Sequence, residues 1–491
     1  MCETKHADYI VTHATLVTQN KTRDVIEDGM LAVRDGKFVY VGKHDPGVLR
    51  WHGTHIDCAG RIVLPGLIDG HGHAGHPMTK HISADALPFW GRSVRKIYFF
   101  YTTPEFWYYD GLLSAMERLC FGVTTGMNVI ANEPRVDSVE FAQNHIRAYC
   151  EAGARTVVGV GPGSNDWPKP LARLQDGKLV RTTATWEEYM RNTETLLQTA
   201  HGSHQGRVRV FVTPFTIVPS IPTWGRVAPE RANILTEFDR MQLKAVRDLA
   251  KKYHTGIHSD AFGNGIEMMC QCEDALLGEN VLLQHCYDLN YRELQILAQT
   301  KTNVGHSAEQ SHHFCPFSEM NALGINAIIT SDGNGPRVNF DMFEHMRRCQ
   351  DLEMMRFGDF ECIGAQQLLD RVTVRAAQAL GMADVVGSLE KGKEADFIIL
   401  GNEHLPDDCS SPLERCVYEV AGRDCRDVFV RGQWCVQNGR LATVDQDKVL
   451  REANRVAWDV FKNADVLRYV QQTPVFGTPY QTYVGKDMGD L

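Results

Sequence analysis

Leu64–His73 reads LPGLIDGHGH, and His71 and His73 stand two positions apart at the end of an apolar, strand-like run. On a strand, residues i and i+2 project to the same side, so both imidazoles face one spot. Two converging neutral imidazoles are half of a transition-metal site. Four later apolar runs also reach a His or Asp at their ends: TGIHSD with His258, VLLQHC with His285, TNVGH with His306 and AIITSD with Asp332. Intervals of 27, 21 and 26 residues separate these four. Each is about the length of one compact strand-plus-helix unit, so successive strands of one barrel can deliver them to a shared mouth. Three or four His with one Asp suit Zn²⁺, with Fe²⁺ or Mn²⁺ as alternatives. With His71, His73, His258 and Asp332 on one such ion, a position remains for water, whose pKa the ion lowers toward neutrality. Asp332 is then placed both to touch the metal and to accept the water's proton, and His285, one strand away, to orient the nucleophile or polarise a substrate.

The elements that must position these residues are legible as a pattern. Eight apolar runs can be counted: 62–69, 122–128, 155–160, 208–214, 255–258, 281–285, 303–306 and 327–332. Stretches with helical periodicity, such as 234–253 and 292–299, lie between them. Eight strands with helical crossovers indicate an α/β fold, a (β/α)₈ TIM-type barrel, with its active site at the C-terminal strand ends. Pro65 and Gly66 put a bend within the first run, and Asp69 and Gly70 suit its exposed end. β-rich blocks flank the barrel on both sides. MLAVRDGKFVYVG turns at Asp35-Gly36, ADFIIL follows GSLEKGKE, and VFVRGQWCVQNGRL reads as another hairpin. The expected organisation is a small β-sandwich built from residues 1–61 and 382–441, a barrel over 62–381, and a C-terminal helix and tail over 442–491.

These strings resemble the amidohydrolase superfamily, and within it the triazine hydrolase, cytosine deaminase and guanine deaminase-like group. The resemblance rests on PGLIDGHGH, FGVTTGMNV, QHCYDLNYRELQILAQTKTNVGHS, TSDGNG and GSLEKGKEADFIIL, which span most of the chain in matching order. It implies metal on His71, His73, His258 and Asp332, and a catalytic rather than ligating role for His285. It also implies a homo-oligomer, dimer or higher. Two departures matter. Dinuclear relatives bridge their metals through a carboxylated lysine at the end of strand four; here that end reads VFVTPFTIVP, without lysine, which favours one metal. Deaminase-like relatives carry a proton-shuttling glutamate three residues after the strand-five histidine; this chain has Ala261 there. Asp260, two residues after His258, or Asp332 alone then moves the proton; the other reading of Asp260 is a loop cap. His306, Trp90, Trp224 and Asn334 are candidate substrate contacts. His76 and His81 follow the pair, at positions where the family has no ligands.

The expected activity is hydrolytic cleavage of a C–N bond on a small ring compound, with deamination of an N-heterocycle leading. Amide, urea or carbamate hydrolysis, or dehalogenation, is the alternative at the same site. A non-catalytic binding or assembly relative is the rival from another class, but such a protein should have lost ligand positions, and this one keeps all four. A net charge of −10 without a basic block argues against a nucleic-acid partner. The absence of any run of 18 apolar residues argues against a membrane span. Fourteen cysteines scattered through a long chain, with no secretory pattern at its start, read as reduced thiols of a cytoplasmic protein. HExxH, a P-loop and the HxE…PCxxC pattern are absent from the sequence.

Overall fold

The computed structural model describes residues 5–44, 51–80, 82, 87–165, 167–175, 177–221, 235–308, 315–359, 361–401 and 411–467. Eight parallel strands form its centre: β1 (Leu67–Asp69), β2 (Val123–Ile130), β3 (Arg155–Val160), β4 (Val208–Val212), β5 (Ile257–Phe262), β6 (Val281–Tyr287), β7 (Asn303–His306) and β8 (Ala327–Ile329). They pair in sequence order. Seven are buried at every residue and β4 at all but one, which is why they read as continuous apolar runs rather than alternating ones. A parallel bridge between Gly72 and Asp332, with Asp332 N donating to His71 O at 3.0 Å, joins the segment after β1 to the segment after β8. The seam of the barrel thus lies between two stretches that the sequence had marked for chemistry.

The crossover helices follow from local sequence. Glu237–Lys252 starts with a reciprocal cap, in which Thr236 Oγ1 accepts from Asp239 N and Asp239 Oδ2 accepts from Thr236 N. It ends with Lys251 and Lys252, whose charge suits a helix C-terminus. Tyr291–Thr300 is capped the same way by Asn290 and Glu293. A hairpin, Lys169–Gln175 with Lys178–Ala184, interrupts the alternation between β3 and β4.

The terminal regions build one nine-stranded sheet, in the order Arg440–Leu441, Gln433–Gln437, Cys425–Val430, Phe397–Leu400, Ile62–Pro65, Lys5–Val17, Val25–Arg34, Lys37–Lys43, with Trp51–Asp57 on Lys5–Val17. The sheet curls on itself: Phe38 N donates to Lys393 O and Ala395 N to Gly36 O, so its edge returns to the strand before Phe397. Val11, Leu31, Val63, Phe397 and Phe429 fill the space enclosed. The Asp35-Gly36 turn forms as expected, with both residues at positive φ. One reading of the sequence is corrected. The run 62–69 is not a single barrel strand: Ile62–Pro65 pairs with Phe397–Leu400 and Lys5–Val17, and only Leu67–Asp69 enters the barrel. Arg155 ties the two parts together, its Nε donating to Asp396 at 2.6 Å and its Nη2 also pairing with Glu394. The C-terminal helix runs Gln446–Asn463 against Pro104–Cys120.

Among the described residues no helix is long and apolar enough to cross a membrane, and the twelve described cysteines are free thiols.

Candidate active site

His71 and His73 lie just beyond β1, His258 and Asp260 on β5, His285 on β6, His306 at the end of β7 and Asp332 just beyond β8. All seven are buried at the same end of the barrel. Ring and carboxylate atoms of His71, His73 and Asp332 fall within 4.8 Å of one another, as do those of His71, Asp260 and His285. Asp332 Oδ1 is 3.4 Å from His71 Nε2 and 3.2 Å from His73 Nε2. His285 Nε2 is 3.8 Å from Asp260 Oδ1 and 4.0 Å from Asp332 Oδ2.

The hydrogen-bond partners fix the tautomers. His73 Nδ1 can only donate to Ala131 O (2.8 Å), and His258 Nδ1 only to Leu282 O (2.9 Å). The His258 Nε2 lone pair therefore accepts from His71 Nδ1 at 2.8 Å. In neutral rings this leaves the Nε2 lone pairs of His71 and His73 both facing the same carboxylate oxygen. Nε2 of His71 is buried and makes no hydrogen bond of good geometry. Electron pairs so opposed repel until a cation stands among them, and backbone-anchored Nδ1 atoms are the usual support of metal-binding histidines. The donor set fits one divalent borderline ion.

Without a cation a proton takes its place: burial alone would raise the Asp332 carboxyl, but hydrogen bonds and charge from the His71 and His73 rings outweigh it and hold the group well below the usual carboxylate range, and His73, despite its burial, is raised by the same contact. Burial, reinforced by the Asp332 charge and opposed by His73, pushes Asp260 up to about 8. Burial lowers His285 to about 3, so its ring is neutral. Backbone strain concentrates here as well, with His285 at φ 71° and Asp332 at φ 61°. Left-handed conformations at non-glycine residues cost energy and cluster at functional sites.

Other expected residues sit differently. His306 Nδ1 is buried without a hydrogen-bond partner, and its ring lies 5.4 Å from Phe317. Trp90 is one layer back: its Nε1 donates to Thr79 O and its ring meets His76 edge-on at 4.9 Å. His76 in turn stacks on His73 at 5.2 Å, backing a proposed ligand. Asn334 turns to the helix Pro104–Cys120, donating to Glu117 Oε2 at 2.8 Å. Trp224 and His81 lie outside the described residues. A narrow cleft lined by His73, Asn132, Thr213, Phe215, His258 and Asp260 opens beside the cluster.

Two supporting groups were not read from sequence. Tyr287, two residues after His285 across a bulge in β6, lies with its hydroxyl 3.2 Å from His285 Nδ1. Asp69, expected at an exposed strand end, is instead fully buried. It accepts from Arg118 Nη2 at 2.6 Å and Ser331 Oγ at 2.6 Å, beneath both halves of the site.

The model of the Amidohydrolase family matches residues 62–435. Across 92% of its length the chain is 24% identical to the 5-methylthioadenosine/S-adenosylhomocysteine deaminase of Acetivibrio thermocellus, covering 99% of that protein. It is 25% identical across 92% of its length to the 5'-deoxyadenosine deaminase of Methanosarcina mazei, covering 98% of it. Among solved structures, a zinc-bound adenosine deaminase from Xanthomonas campestris superposes with a TM-score of 0.77 at 19% identity, over 94% of this chain and 100% of that one. A zinc complex of the atrazine chlorohydrolase of Arthrobacter aurescens gives 0.75 at 18%, over 91% and 100%. At these identities the two structures speak for the fold. The family match extends from the strand before the histidine pair through the last major strand of the terminal sheet, and the chain belongs to the amidohydrolase family.

Proposed function

We propose that this chain is a mononuclear metal-dependent hydrolase that deaminates an aminated N-heterocycle, with adenine nucleosides as the first substrate class to test. The observation that carries the reading is the convergence of His71 Nε2 and His73 Nε2 on the Asp332 carboxylate, with His285 and Asp260 within 4 Å of the same cluster. The relatives named as deaminases of adenine nucleosides, aligned over nearly their whole length, support the substrate class. The proposed ligands are His71, His73 and Asp332, with His258 as the fourth once its Nε2 exchanges the hydrogen bond from His71 Nδ1 for the ion, and an ion there would supply a water of lowered pKa and a Lewis acid. Zn²⁺ is the proposed metal.

The chain's own groups divide the remaining work. Asp332, at the junction of both imidazoles, takes the proton of the attacking water on a carboxylate oxygen. With the Tyr287 hydroxyl donating to Nδ1, neutral His285 carries its proton on Nε2, facing the cluster, where it donates to the heteroatom that gains charge as the ring carbon becomes tetrahedral. Asp260, beside His285 Nε2, stands where it can pass a proton to the departing amine, the task for which Ala261 has no group. Burial of all these residues excludes bulk water and strengthens each interaction. The enzyme is further proposed to work in the cytoplasm as a homo-oligomer, which its mass in solution would test.

The test is release of ammonia by the zinc-loaded protein from adenosine-type nucleosides and other amino-heterocycles, with aryl amides, ureas and chlorotriazines as parallel arms. Ammonia from the amino-heterocycles alone supports deamination. Amine, carboxylate or chloride from the other arms moves the reaction to a better leaving group, and no turnover in any arm overturns the hydrolase reading.

A further inference from the structure

The terminal sheet holds a second cluster of metal-ligand type, far from the barrel mouth in sequence and in the fold. His13 Nδ1 lies 2.9 Å from Asp28 Oδ1, and His44 Nδ1 lies 3.9 Å from the same oxygen. The two rings meet edge-on at 4.3 Å. A donor atom from each of the three falls within 4.8 Å of the other two.

The backbone departs from regular pairing to make this cluster. Lys5–Val17 and Val25–Arg34 pair Val11 with Leu31, Ala14 with Gly29 and Leu16 with Ile26. Between the first two pairs the first strand carries one extra residue, in the stretch that holds His13. Between the next two the second strand carries one extra residue, in the stretch that holds Asp28. Two opposed bulges therefore sit back to back and restore the register, the first returning Ala14 and Leu16 to the enclosed core after Val11 and the second turning Ile26 toward it. Each puts a non-glycine residue in the left-handed region, His13 at φ 57° and Asp28 at φ 45°. Bulges interrupt ladder bonds and re-aim side chains, and positive φ costs energy outside glycine, although Asp and His bear it better than most. His44 is fixed to the same bulge, its N donating to Asp28 O at 2.8 Å. Core packing accounts for the bulges, and their consequence on the outer side is that an imidazole, a carboxylate and a second imidazole stand together with donor atoms in reach of one ion.

We propose that His13, Asp28 and His44 form a second divalent-metal site, separate from the barrel site and not needed for turnover. Two imidazoles and one carboxylate are a borderline donor set, suited to Zn²⁺ or Cu²⁺ rather than Mg²⁺ or Ca²⁺. The exposed side of His13 and Asp28 leaves the remaining coordination positions to water. Bound there, the ion crosslinks the first two strands of the chain to the end of Lys37–Lys43, which stabilises the folded sheet by mass action.

The test is equilibrium dialysis of the full chain against micromolar free Zn²⁺, with metal counted per chain and turnover measured on the same samples. Two equivalents are expected for the unaltered protein, and one, with turnover unchanged, for His13→Ala, His44→Ala and the near-isosteric Asp28→Asn. Added Zn²⁺ should raise the thermal midpoint of the unaltered protein more than that of the variants. One equivalent in the unaltered protein, or two in every variant, overturns the proposal. So does loss of turnover in Asp28→Asn with the fold intact, because the cluster would then belong to the catalytic apparatus.

Discussion

Asp69 and Arg118 form an ion pair with no solvent exposure on either side chain, directly under the strand that leads to His71 and His73. The guanidinium lies over the Phe340 ring at 3.7 Å and also donates to Ser114 and Asn128, so it is held from several directions. Asp69 in turn accepts from Ser331 N at 3.0 Å and from His71 N at 3.5 Å. One carboxylate therefore sets the backbone on both sides of the barrel seam. Removing one partner of a buried pair costs about 3–5 kcal/mol because the other charge is left uncompensated. Asp69→Asn should show a loss of that order in the urea midpoint of the barrel, together with weaker metal retention. A loss below about 1 kcal/mol would mean that Arg118 does not depend on this carboxylate.

Metal content separates the proposed ligands from their neighbour. His71→Ala, His258→Ala and Asp332→Ala should each lose the tightly held equivalent and all measurable turnover. His285→Ala should keep that equivalent while kcat falls about 10²–10⁴-fold, the usual range for a lost proton-handling group. Elemental analysis beside initial rates checks both. Loss of the metal from the His285 variant would place that ring among the ligands.

Asp260 is the group on which the proton path turns. Its Oδ1 lies 3.8 Å from His285 Nε2, and β5 presents it on the same side as His258. Asp260→Asn preserves shape and removes the transferable proton. A fall in kcat of about 10²–10⁴-fold with metal content unchanged is expected. An unchanged kcat would assign the whole transfer to Asp332.

Much of this arrangement was legible in the sequence, and what was not has physical causes. Strand ends in a parallel barrel converge by topology, so a His or Asp closing five of the eight apolar runs was enough to bring His71, His73, His258, His285 and Asp332 together. The division at Gly66 was hidden because Ile62–Pro65 and Leu67–Asp69 are both fully buried and read as one apolar run. Arg118 could not be paired with Asp69 because it comes from a helix face, 49 residues away, where spacing carries no information about which strand it meets. Trp90 and Asn334 have the residue types of a pocket wall, but Trp90 Nε1 and Asn334 Nδ2 are taken by Thr79 O and Glu117. Side-chain direction on connecting segments is set by tertiary packing that sequence periodicity does not encode.

Glu133, in the segment after β2, makes stability depend on pH. Burial would raise its pKa, but Lys169 Nζ at 2.7 Å and Ser164 hold the carboxyl below the usual range. A folded-state pKa below the unfolded value stabilises above the unfolded pKa, about 4.3 for Glu, and the contribution is lost as pH falls through the folded value. Comparing the unaltered protein with Glu133→Gln, the stability gap should be full at pH 7, where the variant deprives a buried Lys169 of this carboxylate. It should shrink steadily in acid, where both carry a neutral side chain. A gap that is independent of pH would mean that the charge of Glu133 contributes nothing.

Gly333 tests how tightly the metal half of the site is packed. A Cβ there would come within 2.0 Å of the His76 ring. That ring has little room to yield, since it stacks on His73 at 5.2 Å, meets Trp90 at 4.9 Å and lies over Tyr98 at 6.1 Å. The alternative is for the backbone to move, and Gly333 N donates to Asp332 Oδ1 at 2.6 Å, so that movement carries the carboxylate with it. Gly333→Ala must therefore displace a proposed ligand in either direction, through His76 onto His73 or through the backbone onto Asp332. Overpacking of this kind costs about 1–3 kcal/mol, and the variant should lose metal faster to a chelator than the unaltered protein while keeping its overall fold by circular dichroism. Unchanged stability with unchanged chelator kinetics would show that His76 can swing clear and that the stack behind His73 does not hold it.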